Sequence, residues 1–586
     1  MTIRNCNQGL DGRSVSAHAG GCTILRAMLA ERIVKRGGCL ALLFVLAVGP
    51  LTSAANKPNI IILVTLDSVR ADRMGFLGVK SRTPNLDALA KQSVIFERAY
   101  AQAPLTVVSH ATILSGTYPQ VHRASELGNS LASGVPYLPE VLHNQGYRSG
   151  AFVGSILLDA RNGFAPGFDR GFDVYHAGFH LIQPGESGAP LIRRSGAQVV
   201  ARALAWLNRK QQSAVFLWVQ ISDADAPYAT SYDRGVTASD AALGKLISAL
   251  RSQNLYDGAV IVVTSDHGES LGAHGEDTHG IFLYDETVRV PLLVKLPQQQ
   301  MAGKLVKGRV RLLDIAPTIL ETAGIPVPSQ MQGQSLLRIA KSNPDADQPV
   351  YSRSDFSHQA FGWSVLESWR AGKYLYIRAP KPELYDLSAD PNATRDLAQS
   401  SKATVETLAA QLNAFDSRFE IAGKPAETGL SSSEMQKLAS LGYVGLQKAN
   451  AGASTAAMGT DPKDTIATAN KVLSAWLVLQ AGHAEKAMPV FRQALAGQQD
   501  IFLAQYGLGV ALAQQQQLAE ATEHLHKAIE LRPESGWAQY QMGVTLMKKG
   551  DFKTAAVHLE IACSRLAEFA AAHAALAQAY EKIGRK

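Results

Sequence analysis

Cysteine is scarce, and most of it sits where it cannot serve a folded domain. The 586-residue chain has four: Cys6, Cys22, Cys39 and Cys563. The first three fall in a stretch that reads as a targeting region, which leaves Cys563 alone. A lone thiol closes no internal disulfide and provides no thiolate set for a metal. Charge of one sign is also missing from the body of the chain. The formal net charge is +7, but residues 1–55 hold six basic residues against two acidic ones, so only three of those charges lie beyond them. That excess is too small for the basic footprint of a nucleic-acid binder, so no nucleic-acid partner is expected. Long apolar runs are missing as well: after position 60 nothing approaches the ~18 residues that a membrane helix needs.

What the N-terminus does contain is a secretion signal pattern. The basic segment "ERIVKRGG" (31–38) precedes "CLALLFVLAVG" (39–49), and "PLTSAAN" (50–56) supplies small residues for cleavage near Ala54 or Ala55. A compact signal of this kind can be read from Met28. Residues 1–55 are therefore read as a targeting region, and the mature protein as exported, periplasmic or secreted. An uncleaved signal retained as a membrane anchor is the alternative.

Beyond it, β-branched runs alternate with helical stretches. "NIIILVTLD" (59–67), "AVFLWVQISD" (214–223) and "AVIVVTSDH" (259–267) have the composition of strands buried on both faces. Between them lie segments such as "TPNLDALAKQS" and "SDAALGKLISALR". This alternation predicts an open, mostly parallel α/β sheet sandwiched by helices. Each of the three runs ends in a carboxylate, Asp67, Asp223 and Asp266, and ligands in such sheets lie beyond the carboxyl ends of the strands.

After about residue 420 the pattern turns helical. "LQKANAGASTAAMGTDP" (446–462) is small and polar and reads as a linker. The boundaries follow: 56–446 for the first domain, 447–465 for the linker and 466–586 for an all-α domain. In the last, Gly509 and Gly543, Ala521 and Ala555, Leu525 and Leu559, and Ala528 and Ala562 are each 34 residues apart. The period and residue types resemble tetratricopeptide repeats, about three and a half of them, which offer a concave surface to a protein or peptide partner.

The chemistry gathers at the strand ends. Asp266 and His267 follow a buried strand directly, a second strand ends at Asp67, and "SLGAHGEDTHG" (270–280) adds His274 and His279. An oxygen-rich set with one or more imidazoles suits Mn²⁺, Zn²⁺ or Mg²⁺, with Mn²⁺ or Zn²⁺ favoured; Ca²⁺ would prefer oxygen alone.

Taken in order, "TLDSVRAD", "PLTVVSHATILSGTYP", "TSDHGE" and "HGEDTHGIFLYDETVRVPLLVK" resemble the sulfatase-like branch of the alkaline phosphatase superfamily. The resemblance extends from about Asn59 to Gly445, and is strongest to members with tetratricopeptide repeats after the enzyme domain. It implies metal-dependent cleavage or transfer of an anionic sulfate or phosphate ester. The sulfatase stretch reads C-x-P-S-R-x-x-x-L-T-G, its cysteine becoming a formylglycine nucleophile. Laid on "TVVSHATILSG", that frame puts Thr106 at the nucleophile, Ser109 at the motif serine and His110 at the arginine. A threonine hydroxyl needs a cation to ionise near neutrality. Helix amides after Thr106 are expected to receive the oxygens of the transferred group. The resemblance also assigns metal contacts to Asp67, Thr106, Asp266 and His267, and a contact to the ester oxygen or a second metal to His279. Formylglycine cannot form from threonine, which favours phosphorus chemistry.

Three departures from the pattern stand out. Ser68 replaces the second acid after the first strand. "GYRSGAFVGS" (146–155) lacks the Lys and His that contact sulfate. In "QISDADAPY" (220–228), Gln220 and Asp225 stand where repeat-bearing relatives have histidines. Two readings follow. Asp223 and Asp225, with His279 and with His110 and His274 nearby, hold a second cation or contact substrate; or the site is impaired and the chain serves as a binding scaffold through its repeats.

Overall fold

The computed structural model describes residues 58–79, 83–179, 193–208, 213–225, 231–342, 345, 347–420, 431–441 and 459–585. The signal pattern in residues 1–55 and positions 447–458 of the linker lie outside them. Among the described residues no helix is long and apolar enough to cross a membrane.

The central sheet has eight strands: β1 (Ile60–Leu66), β2 (Val94–Tyr100), β3 (Arg148–Phe152), β4 (Val174–His176), β5 (Val215–Ile221), β6 (Val260–Ser265), β7 (Arg289–Lys295) and β8 (Leu305–Arg311), in the order β4-β3-β5-β1-β6-β7-β2-β8. β1 pairs in parallel with β5 and with β6, in a register that sets Leu66 beside Ile221 on one side and Ser265 on the other. The three runs singled out by β-branched composition are thus adjacent, and their carboxyl ends meet. Alternate residues of these strands enter opposite cores. Ile61, Leu63, Phe216 and Trp218 face one, and Ile62, Val64, Leu217 and Val219 face the other. Helices on both faces bury the two cores, which is why the strands read as continuous apolar runs.

β7 runs antiparallel to both its neighbours, β6 and β2. This has a direct consequence for the site. A chain that turns back beside the strand it has just left keeps residues 266–288 at the carboxyl edge, so the loop carrying Glu269 and His279 stays beside Asp67.

A second sheet was not legible in the sequence: β9 (Val350–Ser354), β10 (Leu366–Ala371), β11 (Tyr374–Arg378) and β12 (Glu383–Asp386), all antiparallel, in the order β12-β11-β10-β9. Tyr351, Trp369, Tyr376 and Leu384 bury against the helix Lys402–Glu420 through Leu408, Leu412 and Phe415.

The C-terminal region stacks antiparallel helices. Of these, α1 (Pro462–Gln480) pairs with α2 (Ala484–Gly497), α3 (Phe502–Gln514) with α4 (Leu518–Leu531) and α5 (Gly536–Lys549) with α6 (Phe552–Arg565), and α7 (Ala570–Lys582) closes the stack. The 34-residue period has a packing cause. A Cβ on Gly509 would come within 2.7 Å of the Leu525 side chain, and one on Gly543 within 2.6 Å of Leu559. Only glycine lets the paired helices approach so closely. The first repeat helix begins inside the stretch read as linker. Asp461 caps it by accepting the N–H of Lys463, and Pro462 occupies its first turn.

Burial also sets an acid limit on stability. His122 and His558 are enclosed, and burial pushes both imidazoles down to about 3. An unfolded chain protonates these groups near 6.5, so between that pH and about 3 it binds protons that the fold refuses. Stability therefore falls as pH drops through this window. The midpoint of urea unfolding should be lower at pH 5 than at pH 7, and His558→Gln should lose less of it than the wild type.

Candidate active site

The site is built where β1 and β6 end. Asp67 follows β1 and Asp266–His267 follow β6; all three are buried, and their ligand atoms lie within 4.8 Å of one another. Thr106 enters from a third direction, as the first residue of the helix Thr106–Ser115, with its Oγ1 3.2 Å from His267 Nε2.

The hydroxyls crowded into this helix have separate tasks. Ser109 Oγ donates to the Asp266 carbonyl at 2.6 Å, which ties the helix to the end of β6. Thr112 Oγ1 donates to Val108 O and meets His122 Nε2, and Ser115 Oγ pairs with Thr117 Oγ1. Of the four, Thr106 is the one whose oxygen faces the acids and the imidazole. Its backbone is gripped at both ends. Glu126 accepts the N–H groups of Thr106 at 3.0 Å and Val107 at 2.8 Å, and His110 Nδ1 lies 2.7 Å from the Thr106 carbonyl.

The residues present fit a divalent cation. His267 Nδ1 lies 2.9 Å from Gly268 O, so Nδ1 carries the proton and Nε2 turns its lone pair toward Asp67, Asp266 and Thr106. Burial lowers this imidazole to about 3, which keeps it neutral. Asp266 Oδ1 accepts the amides of Ser68 and His267, whereas Oδ2 is buried and accepts no hydrogen bond. A buried carboxylate oxygen without a donor is costly in a protein interior unless a cation meets it. Asp266 is held well above the usual carboxylate range, first by burial and then by the charge of Asp67. Gln220 explains one departure from the family pattern. Its Nε2 donates to Asp67 Oδ2 at 2.9 Å, and its Oε1 accepts the Gly154 and Ser155 amides. It orients the Asp67 carboxylate and ties it to the backbone just beyond β3.

A second group lies alongside: Asp225, Glu269 and His279 also have ligand atoms within 4.8 Å of one another. His279 Nδ1 is 3.1 Å from Glu269 Oε2, and its ring centroid is 4.3 Å from that of His267. Burial lowers His279 to about 4. Asp225 is raised well above its ordinary range, by burial and then by Asp67, with Glu269 and Glu126 adding to the effect. Arg193 stands 3.8 Å from its Oδ2. Carboxylates that oppose one another's ionisation in this way have the charge and the donors to fit a cation.

Several expectations need correction. Asp223 belongs to neither group. Its Oδ2 accepts the Gly196 amide at 2.7 Å, at the positive end of the helix Gly196–Leu207. His110 is buried between Thr106 O and Thr65 Oγ1, with Asp266 Oδ2 3.5 Å from its Nδ1, so it holds the helix Thr106–Ser115 and has no nitrogen left for substrate. His274 stacks on Tyr284 at 3.6 Å and lies 3.8 Å from Glu286, away from both groups. The first amides of the helix are taken by Glu126 and do not await an anion. Burial pushes the Glu126 carboxyl up to about 8. Glu126 and Glu269 were not identified in the sequence. Glu269 lies two residues beyond His267 in "TSDHGE"; Glu126 carries no local signal.

Residues 58–325 match the sulfatase family, 279–417 the C-terminal region of N-sulphoglucosamine sulphohydrolase, and 502–535 a tetratricopeptide repeat. The chain is 26% identical over 416 residues to an ulvan-active sulfatase of Formosa agariphila, covering 61% of this chain and 80% of that protein. It is 26% identical over 386 residues to N-acetylgalactosamine-6-sulfatase of Homo sapiens, covering 54% and 74%. Among solved structures, a putative sulfatase of Bacteroides thetaiotaomicron aligns with a TM-score of 0.53 at 20% identity, over 62% of this chain and 93% of that one. The phosphonate monoester hydrolase of Agrobacterium radiobacter aligns at 0.50 and 19%, over 61% and 95%. These alignments show the shared fold.

Proposed function

We propose that this chain, which carries a sulfatase-family hydrolase domain followed by tetratricopeptide repeats, cleaves anionic esters with Thr106 as nucleophile, and takes phosphate esters in preference to sulfate. The observation that carries this reading is the placement of Thr106 Oγ1 3.2 Å from His267 Nε2, beside Asp67 and Asp266. Asp67, Asp266 and His267 would hold one divalent cation, with Mn²⁺ or Zn²⁺ best matched to their mixed donors, and Asp225, Glu269 and His279 would hold a second. Such ions, when bound, supply the Lewis acidity and positive charge that ester cleavage needs.

The chain's own groups supply position. Glu126 and His110 fix the backbone of Thr106 on both sides, so the hydroxyl is delivered without a search through rotations of the helix. Thr106 Oγ1 and His267 Nε2 lie 3.2 Å apart, which would let the two meet the same cation. Gln220 holds Asp67, and Glu269 holds the His279 ring that faces His267. Threonine has no route to a formylglycine, so the threonine oxygen itself bonds to the transferred group as it loses its proton. The ester bond breaks and the leaving oxygen departs protonated as the alcohol. Water or an acceptor alcohol then displaces the threonine oxygen, which regains a proton. A phosphoryl group is suited to that two-step path.

The test is a panel of aryl phosphate, aryl phosphodiester and aryl sulfate substrates with the purified full chain and added Mn²⁺ or Zn²⁺. Phosphate ester turnover should exceed sulfate ester turnover by about a hundredfold or more, a difference of about 2.7 kcal/mol in barrier. Faster sulfate cleavage would refute the preference. A chain that retains no metal and turns over none of the three would favour the scaffold reading.

A further inference from the structure

The repeats do not stand apart from the hydrolase domain. One continuous buried cluster includes Ile61, Val107 and Phe361 of the first and Val472, Phe491 and Leu512 of the second. Two loops that flank Thr106 are held by repeat residues. The loop bearing Glu126 inserts Leu127 beside Phe502, Ala538 and Met542, and Phe164 packs on Trp537 with ring centroids 4.8 Å apart.

The other contact is more specific. The loop from Gly268 to Gly280, which carries Glu269 and His279, is irregular. Leu271, Gly272, His274 and Gly275 all have positive φ, two of them without the freedom of glycine. Such a backbone persists only where its surroundings over-determine it. Asn470 on helix α1 offers both ends of its amide. Its Nδ2 donates to Gly275 O at 2.8 Å, and its Oδ1 accepts the Asp277 N–H at 3.2 Å. Ile466, one turn earlier, sits where a Cβ on Gly275 would meet it at 3.4 Å. The hydrolase domain holds the two ends of the loop, where Arg70 donates to Glu269 O, Gly268 N donates to Thr287 O and Ser354 Oγ donates to Gly280 O. Between them Ser270 N bonds Thr278 O and Gly272 N bonds Glu276 O within the loop itself.

We infer that the repeat domain is part of the active site, with Asn470 acting as a positioning residue that locks the His279 loop in its strained conformation. Its link to turnover rests on the proposed function; its link to loop order does not.

The experiment compares full-length wild type, Asn470→Ala, Asn470→Asp and Asp464→Ala. Asp464 forms an exposed ion pair with Lys381 across the same domain boundary but away from the loop. Hydrogen exchange of the 270–279 segment should rise about tenfold in Asn470→Ala as its two hydrogen bonds to the loop disappear. Asn470→Asp preserves side-chain size and the acceptor for Asp277 but not the donor to Gly275, and should lie between. Asp464→Ala should match the wild type. With an aryl phosphate, Asn470→Ala should show kcat reduced about tenfold and KM changed less than about twofold, the split expected when a reacting group is misplaced while substrate binding stays intact. Wild-type exchange in both Asn470 variants would overturn the inference. Increased exchange with unchanged kcat would overturn its catalytic half. If the wild type turns over no ester, the functional reading fails, while the exchange arm still decides the clamp.

Discussion

Thr106→Ala should lose turnover of a phosphate ester by on the order of 10⁴-fold, with the cation retained. The size of the effect follows from the surroundings. Ser109 is turned to the Asp266 carbonyl, Thr112 to Val108 O and His122, and Ser115 to Thr117. None of these can move to the site without unravelling a buried helix, so no neighbouring hydroxyl takes over. Retention of metal separates loss of the nucleophile from loss of the site, because Asp67, Asp266 and His267 remain. Thr106→Ser preserves the hydroxyl and should keep measurable activity. It removes only a methyl group, at the price of a less restricted χ1. Rates and metal content measured side by side on the three proteins check this.

The second large effect concerns the acids. Asp266→Asn should lower both metal content and turnover, the latter by at least about a hundredfold. Asp266 Oδ1 is committed to two backbone amides, and Oδ2 is the oxygen without a donor. An asparagine that keeps the first contact through its one oxygen replaces the negative oxygen facing the site with an NH₂ group. Metal analysis after exhaustive dialysis should find about two equivalents in the wild type and fewer in Asp266→Asn. Asp225→Ala should lose one equivalent and keep the other. Equal metal content in all three would separate these acids from cation binding.

The strand ends were legible because burial leaves a compositional trace. Runs such as IIILVTL and VIVVTS have no polar residue on either face until the last position or two, and the carboxylates follow immediately. Asp67, Asp266 and His267 could therefore be placed at one edge without knowing the topology. The order of hydrolase and repeats was legible from a 34-residue period whose cause is the contact of Gly509 with Leu525 and of Gly543 with Leu559. What was not legible depends on loops. Asp223 and Asp225 are two residues apart, yet one serves a helix terminus and the other joins Glu269 and His279. No periodicity distinguishes them, because the turn after β5 decides where each side chain goes. Glu126 reaches the Thr106 amide from 20 residues away, from a turn beyond the helices Thr106–Ser115 and Pro119–His122. Gln220 stands where repeat-bearing relatives have a histidine, and nothing in the sequence shows that its amide donates to Asp67. The antiparallel course of β7, which keeps the His279 loop at the site, likewise has no signature within the strand itself.

The most direct test of the central claim is a rapid acid quench during turnover of an aryl phosphate, followed by peptide mass spectrometry. The account predicts a phosphoryl group on Thr106 in the wild type and none there in Thr106→Ala or Asp266→Asn. Label on a different residue, or product accumulating at the wild-type rate from Thr106→Ala, would contradict it.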